Sequence, residues 1–115
     1  MASLDGRVFR DASPSPAGDV GADTVFEYRE DADGTVSATY HGGTVRLGYL
    51  VGTRVRSMLE HRYVHLTVDG ATASGHCHTR VEELPDGRLR LHEAWQWDSR
   101  EGAGTSVVEE VPGPA

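Results

Sequence analysis

The stretch that decides the fold runs from Thr24 to Val51 and reads TVFEYREDADGTVSATYHGGTVRLGYLV. Apolar and polar residues alternate along it in short runs, and glycine-bearing segments separate the runs. Alternation with a period of two is typical of β-strands, because successive side chains point to opposite faces. Glycine between two such runs indicates a hairpin turn. The stretch therefore predicts a meander of antiparallel strands with turns at Asp31–Gly34 and His41–Gly43.

The last of these runs carries an apolar residue at every second position. Val45, Leu47, Tyr49 and Val51 are each two residues apart. Side chains two residues apart share a strand face. We therefore expect these four side chains on one side of the sheet.

The same pattern continues on both sides of this stretch. We expect further strands at Gly6–Arg10, Leu59–Thr67, Ala71–Glu83, Arg88–Trp97 and Thr105–Val111. The strand over Ala71–Glu83 is long, and Gly75 marks a position where it can bend. The apolar positions of Val55–Tyr63 have helical spacing, but no capping residue is close and a β-rich run follows. We expect at most one short turn around Arg54–Met58.

A meander of about eight strands can close into a barrel and so remove its exposed edges. We predict an all-β fold, a single antiparallel up-and-down β-barrel of about eight strands over residues 1–115. An open sandwich is the alternative, but it needs longer crossovers than these turns supply. Pro14 and Pro16 fix their backbone angles and lack amide donors, so residues 11–19 are expected as a flexible loop. Residues 112–115 are expected as a tail.

Size and charge exclude several classes of function. The chain has 115 residues and a formal net charge of −7, so it repels phosphate backbones and anionic headgroups. We expect neither a nucleic-acid partner nor a membrane. The opening residues MASLDGRVFR lack the apolar core of a secretory signal, which predicts a cytoplasmic protein. Cys77 is the one cysteine, so an internal disulfide and a multi-thiolate zinc site are excluded.

Several motifs give the chain a resemblance to a known family. They are Asp5–Phe9, Thr24–Tyr28, Ala38–Gly43, Gly48–Gly52, Arg62–His65, Gly75–Cys77, Leu84–Gly87, Leu91–Trp97 and Val107–Val111. With them the chain resembles small bacterial proteins commonly labelled N-acetylglutamate synthase. The resemblance implies a compact barrel similar to avidin-like and lipocalin-like folds. The label implies an acetyltransferase, which is a weaker alternative because the usual acetyl-CoA site opens a helix with a glycine-rich loop and this sequence has none.

Glu93 is the most informative polar residue. It shares a strand face with Leu91 and Trp95, and desolvation on an apolar face raises the pKa of a carboxyl group. Such a group can serve as a general acid or base near neutral pH. The alternative is that Glu93 pairs with a buried arginine or tyrosine and serves only the fold. Trp95 and Trp97 offer rings on which a ligand can lie; core packing is the better explanation for each ring alone, but two rings beside one inward carboxylate indicate a pocket.

The strand over Leu59–Thr67 has no wholly apolar face. We favour the face with His61, Tyr63 and His65 as inward, because the resembling proteins carry an Arg-Tyr-x-His pattern here. Tyr63 or His65 can then exchange a proton with Glu93, unless the tyrosine is a hydrogen-bonded core residue. We name as catalytic candidates Glu93, Tyr63 and His65, and as ligand-binding candidates Trp95, Trp97, Tyr28 and His61.

The histidines around Cys77 raise the question of a metal. His76 and His78 share a strand face, and a zinc site would need a third ligand such as His61 or His65. We favour exposed histidines instead, and we expect no metal and no organic cofactor. Cys77 is expected as a small buried thiol and not as a nucleophile.

These observations predict a barrel that binds a small, partly apolar molecule in its interior. Two classes of function stay open, and the first is an enzyme that catalyses a cofactor-free acid/base isomerisation or cyclisation of that molecule. A non-catalytic binding or carrier barrel is the alternative, and a purely structural barrel is a weaker one. A homodimer is an open expectation.

Overall fold

The computed structural model describes residues 2–13 and 18–112. Its strands are β1 (Val8–Ser13), β2 (Val25–Glu30), β3 (Thr35–Gly42), β4 (Val45–Val55), β5 (Met58–Thr67), β6 (Thr72–Glu83), β7 (Leu89–Trp97) and β8 (Ala103–Glu110). Each strand pairs antiparallel with its neighbours in sequence, and β8 pairs with β1 to close the sheet. The predicted all-β, up-and-down antiparallel barrel of about eight strands is confirmed.

The first strand extends further than the sequence pattern indicates. Residues 11–13 belong to β1 and pair with β8, with a register shift between Asp11 and Ser13. The expectation of a loop beginning at residue 11 is therefore wrong over these residues. Short polar side chains have weak strand propensity, and a β-bulge lets the strand continue past them. Residues 14–17 of the expected loop and 113–115 of the expected tail lie outside the described residues.

A second register shift lies in β4, between Val45 and Leu47. Val45 is buried inside the barrel, whereas Leu47, Tyr49 and Val51 are exposed. The expectation that these four residues share one face is wrong at Val45. A bulge inserts one extra residue, so the side chains that follow it point to the opposite face.

The connection between β4 and β5 is a tight hairpin. Val55 pairs with Met58, which leaves Arg56 and Ser57 as the turn, and Arg56 has a φ of 57°. Residues Val55–Tyr63 form no helix, although their apolar residues have helical spacing. They continue as strands on either side of the turn. Within the described parts of the chain, no helix is long and apolar enough to cross a bilayer.

The two ends of the barrel are filled differently. One end, here called the filled end, holds fully buried apolar side chains that include Leu4, Phe9 and Leu89. The segment before β1 covers this end, with the Leu4 amide donating to Glu30 Oε1 at 2.8 Å and Arg54 Nη1 donating to the Ala2 carbonyl at 2.9 Å. The other end, here called the cavity end, is lined in part by Gly18, Asp19 and Val20, which follow β1, and contains the candidate site.

Candidate functional site

An internal cavity of about 60 Å³ lies at the cavity end. One water molecule needs roughly 10–15 Å³, so the space suits several waters or a ligand of a few heavy atoms. Its side-chain lining comprises Asp11, Asp19, Val20, Phe26, Tyr40, Leu50, His61, Tyr63, His65, Cys77, Glu93, Trp95, Trp97 and Ser106. All the predicted site residues except Tyr28 are in this set. The face of β7 indicated by alternation and the face of β5 favoured from the resemblance thus both line this cavity.

Tyr28 lies in the core and not in the cavity lining. It is fully buried, and its ring meets the Phe9 ring edge-on with centroids 5.2 Å apart. Among the described residues, its hydroxyl has no hydrogen-bond partner. Burial, with a smaller effect from the nearby Glu93 charge, raises the pKa of Tyr28 well above its usual value. The group is a neutral phenol next to Glu93.

Glu93 projects from β7 into the cavity. The Ser106 hydroxyl on β8 donates a hydrogen bond of 2.8 Å to its Oε1. Burial raises the pKa of Glu93 to about 7, against the lowering effect of the Ser106 bond, and the Asp11 charge adds to the rise. Among the described residues, no arginine or tyrosine is recorded as a hydrogen-bond partner of this carboxyl group. The desolvated carboxyl group expected from the sequence is thus present.

Aromatic rings form one wall of the cavity. Trp97 is 5.6 Å from Trp95 and 5.7 Å from both Tyr63 and His65, measured between ring centroids. The Arg100 guanidinium lies 4.0 Å above the Trp97 ring, which is a cation–π contact. These rings present flat apolar surface to the interior.

A hydrogen-bonded chain runs from the core to the cavity mouth. Tyr40 bonds His65 Nδ1 at 2.9 Å, and His65 Nε2 bonds Asp19 Oδ2 at 2.9 Å. Arg100 donates to Asp19 Oδ1 at 2.9 Å. Burial raises the pKa of Asp19, but the bonds from His65 and Arg100 outweigh it and hold the pKa below its usual range. Sequence reasoning missed Asp19, because nothing in a turn-rich segment indicates which residue folds back over a barrel.

The three catalytic candidates do not form a hydrogen-bonded group with one another. Tyr63 donates to the Gln96 carbonyl at 3.3 Å, while His65 and Glu93 bond the residues given above. Burial raises the pKa of Tyr63 well above its usual value.

Gly75 lies beside Tyr63, and a Cβ at that position would overlap the tyrosine hydroxyl. The glycine therefore makes room for the ring, and β6 runs past it without a register shift.

A second group of polar side chains faces the cavity from three neighbouring strands. His61 lies opposite Cys77 in the β5–β6 ladder, Cys77 lies opposite Trp95, and Glu93 is two residues before Trp95. One potential ligand atom from each of His61, Cys77 and Glu93 lies within 4.8 Å of the other two. Gly52 is opposite His61, and a Cβ there would overlap it. The sequence spacing did not reveal this group.

Burial keeps His61 and Cys77 of this group uncharged near neutral pH. Burial, with a smaller effect from His78, lowers the pKa of His61 to about 4, so its ring is neutral. Both ring nitrogens are buried and lack a hydrogen-bond partner among the described residues. Burial raises the pKa of the Cys77 thiol to about 12, with a smaller rise from Glu93. Since the thiolate is the reactive form, Cys77 by itself is a poor nucleophile.

His76 and His78 lie on the outer surface, as we expected from the sequence. His76 Nδ1 is 2.8 Å from Asp98 Oδ1, and His78 Nδ1 is 3.0 Å from Glu60 Oε1. His61 and His65 face the interior, so they cannot join the outer histidines around one ion.

A closed antiparallel barrel of eight strands with a lined cavity at one end belongs to the class of small barrels that can hold one small ligand. A family model described as "Avidin-like protein" matches residues 2–111. The chain belongs to this avidin-like family. A solved structure described as a biotin binding protein from chicken is similar at 16% identity, with a TM-score of 0.63, over 95% of this chain and 96% of the other. No curated protein matches the sequence. The avidin-like fold expected from the sequence is thereby confirmed.

Proposed function

We propose that the protein binds a small, partly apolar molecule in the cavity. The observation that carries the proposal is the placement of Trp95, Tyr63 and Glu93 around one internal space. Aromatic faces favour apolar parts of a ligand, and a few convergent polar groups orient it. The similar chicken protein is described as biotin binding, which supports small-molecule binding as a function for this fold.

The cavity itself indicates the size and chemistry of the ligand. Its volume of about 60 Å³ is far below the roughly 300–1,000 Å³ of sites for drug-sized ligands. We therefore propose a molecule of a few heavy atoms, with one apolar part against Trp95 and one hydrogen-bonding group towards Glu93.

The test begins with the protein as purified. Mass spectrometry of the denatured sample identifies any molecule that copurifies, and a panel of small alcohols, carbonyl compounds and carboxylic acids supplies probes otherwise. Binding is followed by tryptophan fluorescence. We expect Trp95→Ala to weaken binding at least tenfold, whereas Gln96→Ala, an exposed position on the same strand, leaves it unchanged. Equal weakening by both variants, or by neither, contradicts the proposal.

A second candidate function is acid/base catalysis, in the form of an isomerisation or cyclisation of the bound molecule. The observation in its favour is the Glu93 carboxyl group at the cavity wall. His65 uses both ring nitrogens for Tyr40 and Asp19. Glu93 therefore carries the proton transfer, with Tyr63 as the second group. Without catalysis, the protein is a carrier.

Deuterium exchange separates the two functions. A ligand incubated with the protein in D₂O takes up deuterium at carbon faster than in D₂O alone when a catalytic group removes and returns a proton. We expect this faster uptake with the wild type and not with Glu93→Gln, measured by NMR. Binding without faster uptake assigns the carrier function instead.

We propose a homodimer as the assembly. Its support is the exposed apolar outer face of β4 and β5, where Tyr49 pairs with Val64 and Leu47 and Val51 flank them. Monomeric proteins rarely expose large contiguous apolar patches. Sedimentation analysis should give a dimer for the wild type and a monomer for Tyr49→Glu. A monomeric wild type contradicts the proposal.

A further inference from the structure

We propose that His61, Cys77 and Glu93 form a binding site for a zinc-type divalent cation, with one coordination position open to the cavity. The site shares the cavity of the proposed function but needs no organic ligand to form. It also departs from our expectation that the protein uses no metal.

The placement of the three residues comes from strand register. His61 and Cys77 are directly opposed on β5 and β6, and Glu93 follows on β7, one diagonal step away. All three line the same cavity. Inward-facing residues on adjacent strands are held by the ladder itself, which is the kind of rigid support that a metal site requires.

The state of His61 is the observation that points to a ligand. The residue is 6% exposed, and in the described part of the chain neither ring nitrogen has a hydrogen-bond partner. Buried polar atoms in native proteins almost always have partners. One of these nitrogens lies within 4.8 Å of the Cys77 sulfur and a Glu93 oxygen, so an ion between the three would give that nitrogen a partner.

Charge balance favours a doubly charged ion. On binding, the Cys77 thiol loses its proton to solvent and its sulfur donates an electron pair to the metal, while Glu93 binds as a carboxylate. These two negative charges neutralise the cation, and His61 ligates as the neutral ring. A neutral assembly suits the barrel interior, where an unbalanced charge is costly.

The donor set selects the kind of ion. Nitrogen, thiolate sulfur and carboxylate oxygen are the donors of zinc sites, whereas magnesium and calcium take oxygen ligands. Zinc bonds of about 2.0–2.3 Å place tetrahedral ligand atoms roughly 3.4–3.6 Å apart. The three ligand atoms lie within 4.8 Å of one another. Side-chain shifts of only about 1 Å therefore bring them to the separations of a zinc site.

Neighbouring hydroxyl groups support two of the ligands. Ser106 bonds Glu93 at 2.8 Å, and Thr79 Oγ1 lies 3.4 Å from Cys77 Sγ. Such partners orient metal ligands. Three protein ligands with a free fourth position is the pattern of zinc sites that bind an exchangeable molecule.

Cobalt(II) is the probe, because a thiolate bound to it gives a charge-transfer absorption band in the near ultraviolet. The protein is treated with EDTA, kept reduced and titrated with cobalt(II) alone, and zinc(II) is then added as a competitor. We expect one equivalent of cobalt to bind with the thiolate band and zinc to displace it. Cys77→Ser should abolish the band and weaken cobalt binding at least tenfold.

The matched control removes the outer histidines. The double variant His76→Gln, His78→Gln should bind cobalt as the wild type does. Absence of the thiolate band in the folded wild type overturns the proposal, as does binding that survives Cys77→Ser but is lost in the histidine double variant. Circular dichroism checks the fold, and Cys77→Ala replaces Cys77→Ser if the serine variant does not fold.

The same experiment keeps this inference separate from the proposed function. The Trp95→Ala variant should bind cobalt as the wild type does, even though the substitution weakens binding of the organic ligand. Ligand binding by an EDTA-treated protein that fails to bind cobalt overturns only the metal site. Cobalt binding with the thiolate band, in a protein that retains no organic ligand, leaves the metal site standing and removes support from the proposed function.

Discussion

The filled end and the cavity end are built by the same eight strands but differ in the polarity of the side chains around their centres. Leu4, Phe9 and Leu89 at the filled end are fully buried and apolar. His61 and Glu93 at the cavity end are polar and face the interior. Burying apolar surface stabilises a fold, whereas burying a polar group without full compensation destabilises it.

The side chains that contribute most to stability and those that line the candidate site thus lie at different ends of the barrel. Substitutions at the filled end are expected to lower the free energy of unfolding without altering the cavity. Substitutions at the cavity end are expected to change binding with smaller effects on folding. Proteins commonly depart from the best local packing at functional sites, and the unpartnered ring of His61 and the buried Glu93 carboxyl group are such departures at the cavity end.

The largest effect is expected from Leu4→Ala, which opens a void at the filled end. Leu4 is 0% exposed, and losing such a side chain costs about 2–5 kcal/mol. Urea denaturation measures the loss. Val68→Ala is the control, because Val68 lies outside the proposed dimer face, is 54% exposed, and surface changes stay within about 0.5 kcal/mol. Equal stability of Leu4→Ala and the wild type would mean that the segment before β1 does not complete the filled end.

A smaller loss is expected from Gly75→Ala, beside the cavity. The new Cβ would overlap the Gln96 carbonyl and the Tyr63 hydroxyl, and overpacking of this kind costs about 1–3 kcal/mol. Thermal unfolding gives the loss, and near-ultraviolet circular dichroism reports the displaced rings. Gly21→Ala is the control, since a Cβ at Gly21 has no neighbour within 4 Å. An unchanged melting temperature for Gly75→Ala would mean that the neighbouring side chains move aside at little cost in free energy.

The smallest effect is expected from Asp19→Asn, at the cavity mouth. Against the raising effect of burial, the hydrogen bonds from His65 and Arg100 hold the pKa of Asp19 below its ordinary value of 3.8. A group with a lowered pKa stabilises the folded state above its unfolded-state pKa and loses this effect as the pH falls through its folded-state pKa. The variant should be about 1 kcal/mol less stable at pH 7, with the difference vanishing in acid. A difference that does not change with pH would rule out this electrostatic cause.

The barrel and much of the candidate site could be predicted from the sequence. Both follow from the alternation of inward and outward side chains along the strands. Alternation along β7 is enough to place Glu93, Trp95 and Trp97 on one face, and the length of the turns is enough to order the strands. The favoured inward face of β5, with His61 and His65, also agrees with the structure. The cytoplasmic location and the absence of a nucleic-acid partner stay predictions.

The remaining features depend on register and on loops, which alternation does not determine. A bulge between Val45 and Leu47 reverses the faces of β4, and no residue type marks it in advance. The group of His61, Cys77 and Glu93 requires the pairing of three strands to be known to the residue. Asp19 reaches the cavity through the β1–β2 connection, whose path the sequence does not specify.

The pairing of β1 with β8 has a consequence for synthesis in the cell. Phe9 pairs with Glu110, and the Val111 amide donates to the Val8 carbonyl at 2.9 Å, so the seam joins the two ends of the barrel sequence. A nascent chain emerging from a ribosome cannot form this seam until the last strand is out. Contacts between distant parts of a chain form slowly. Until then, β1 and the most recently emerged strand present open edges, which is the period in which the chain is most exposed to aggregation.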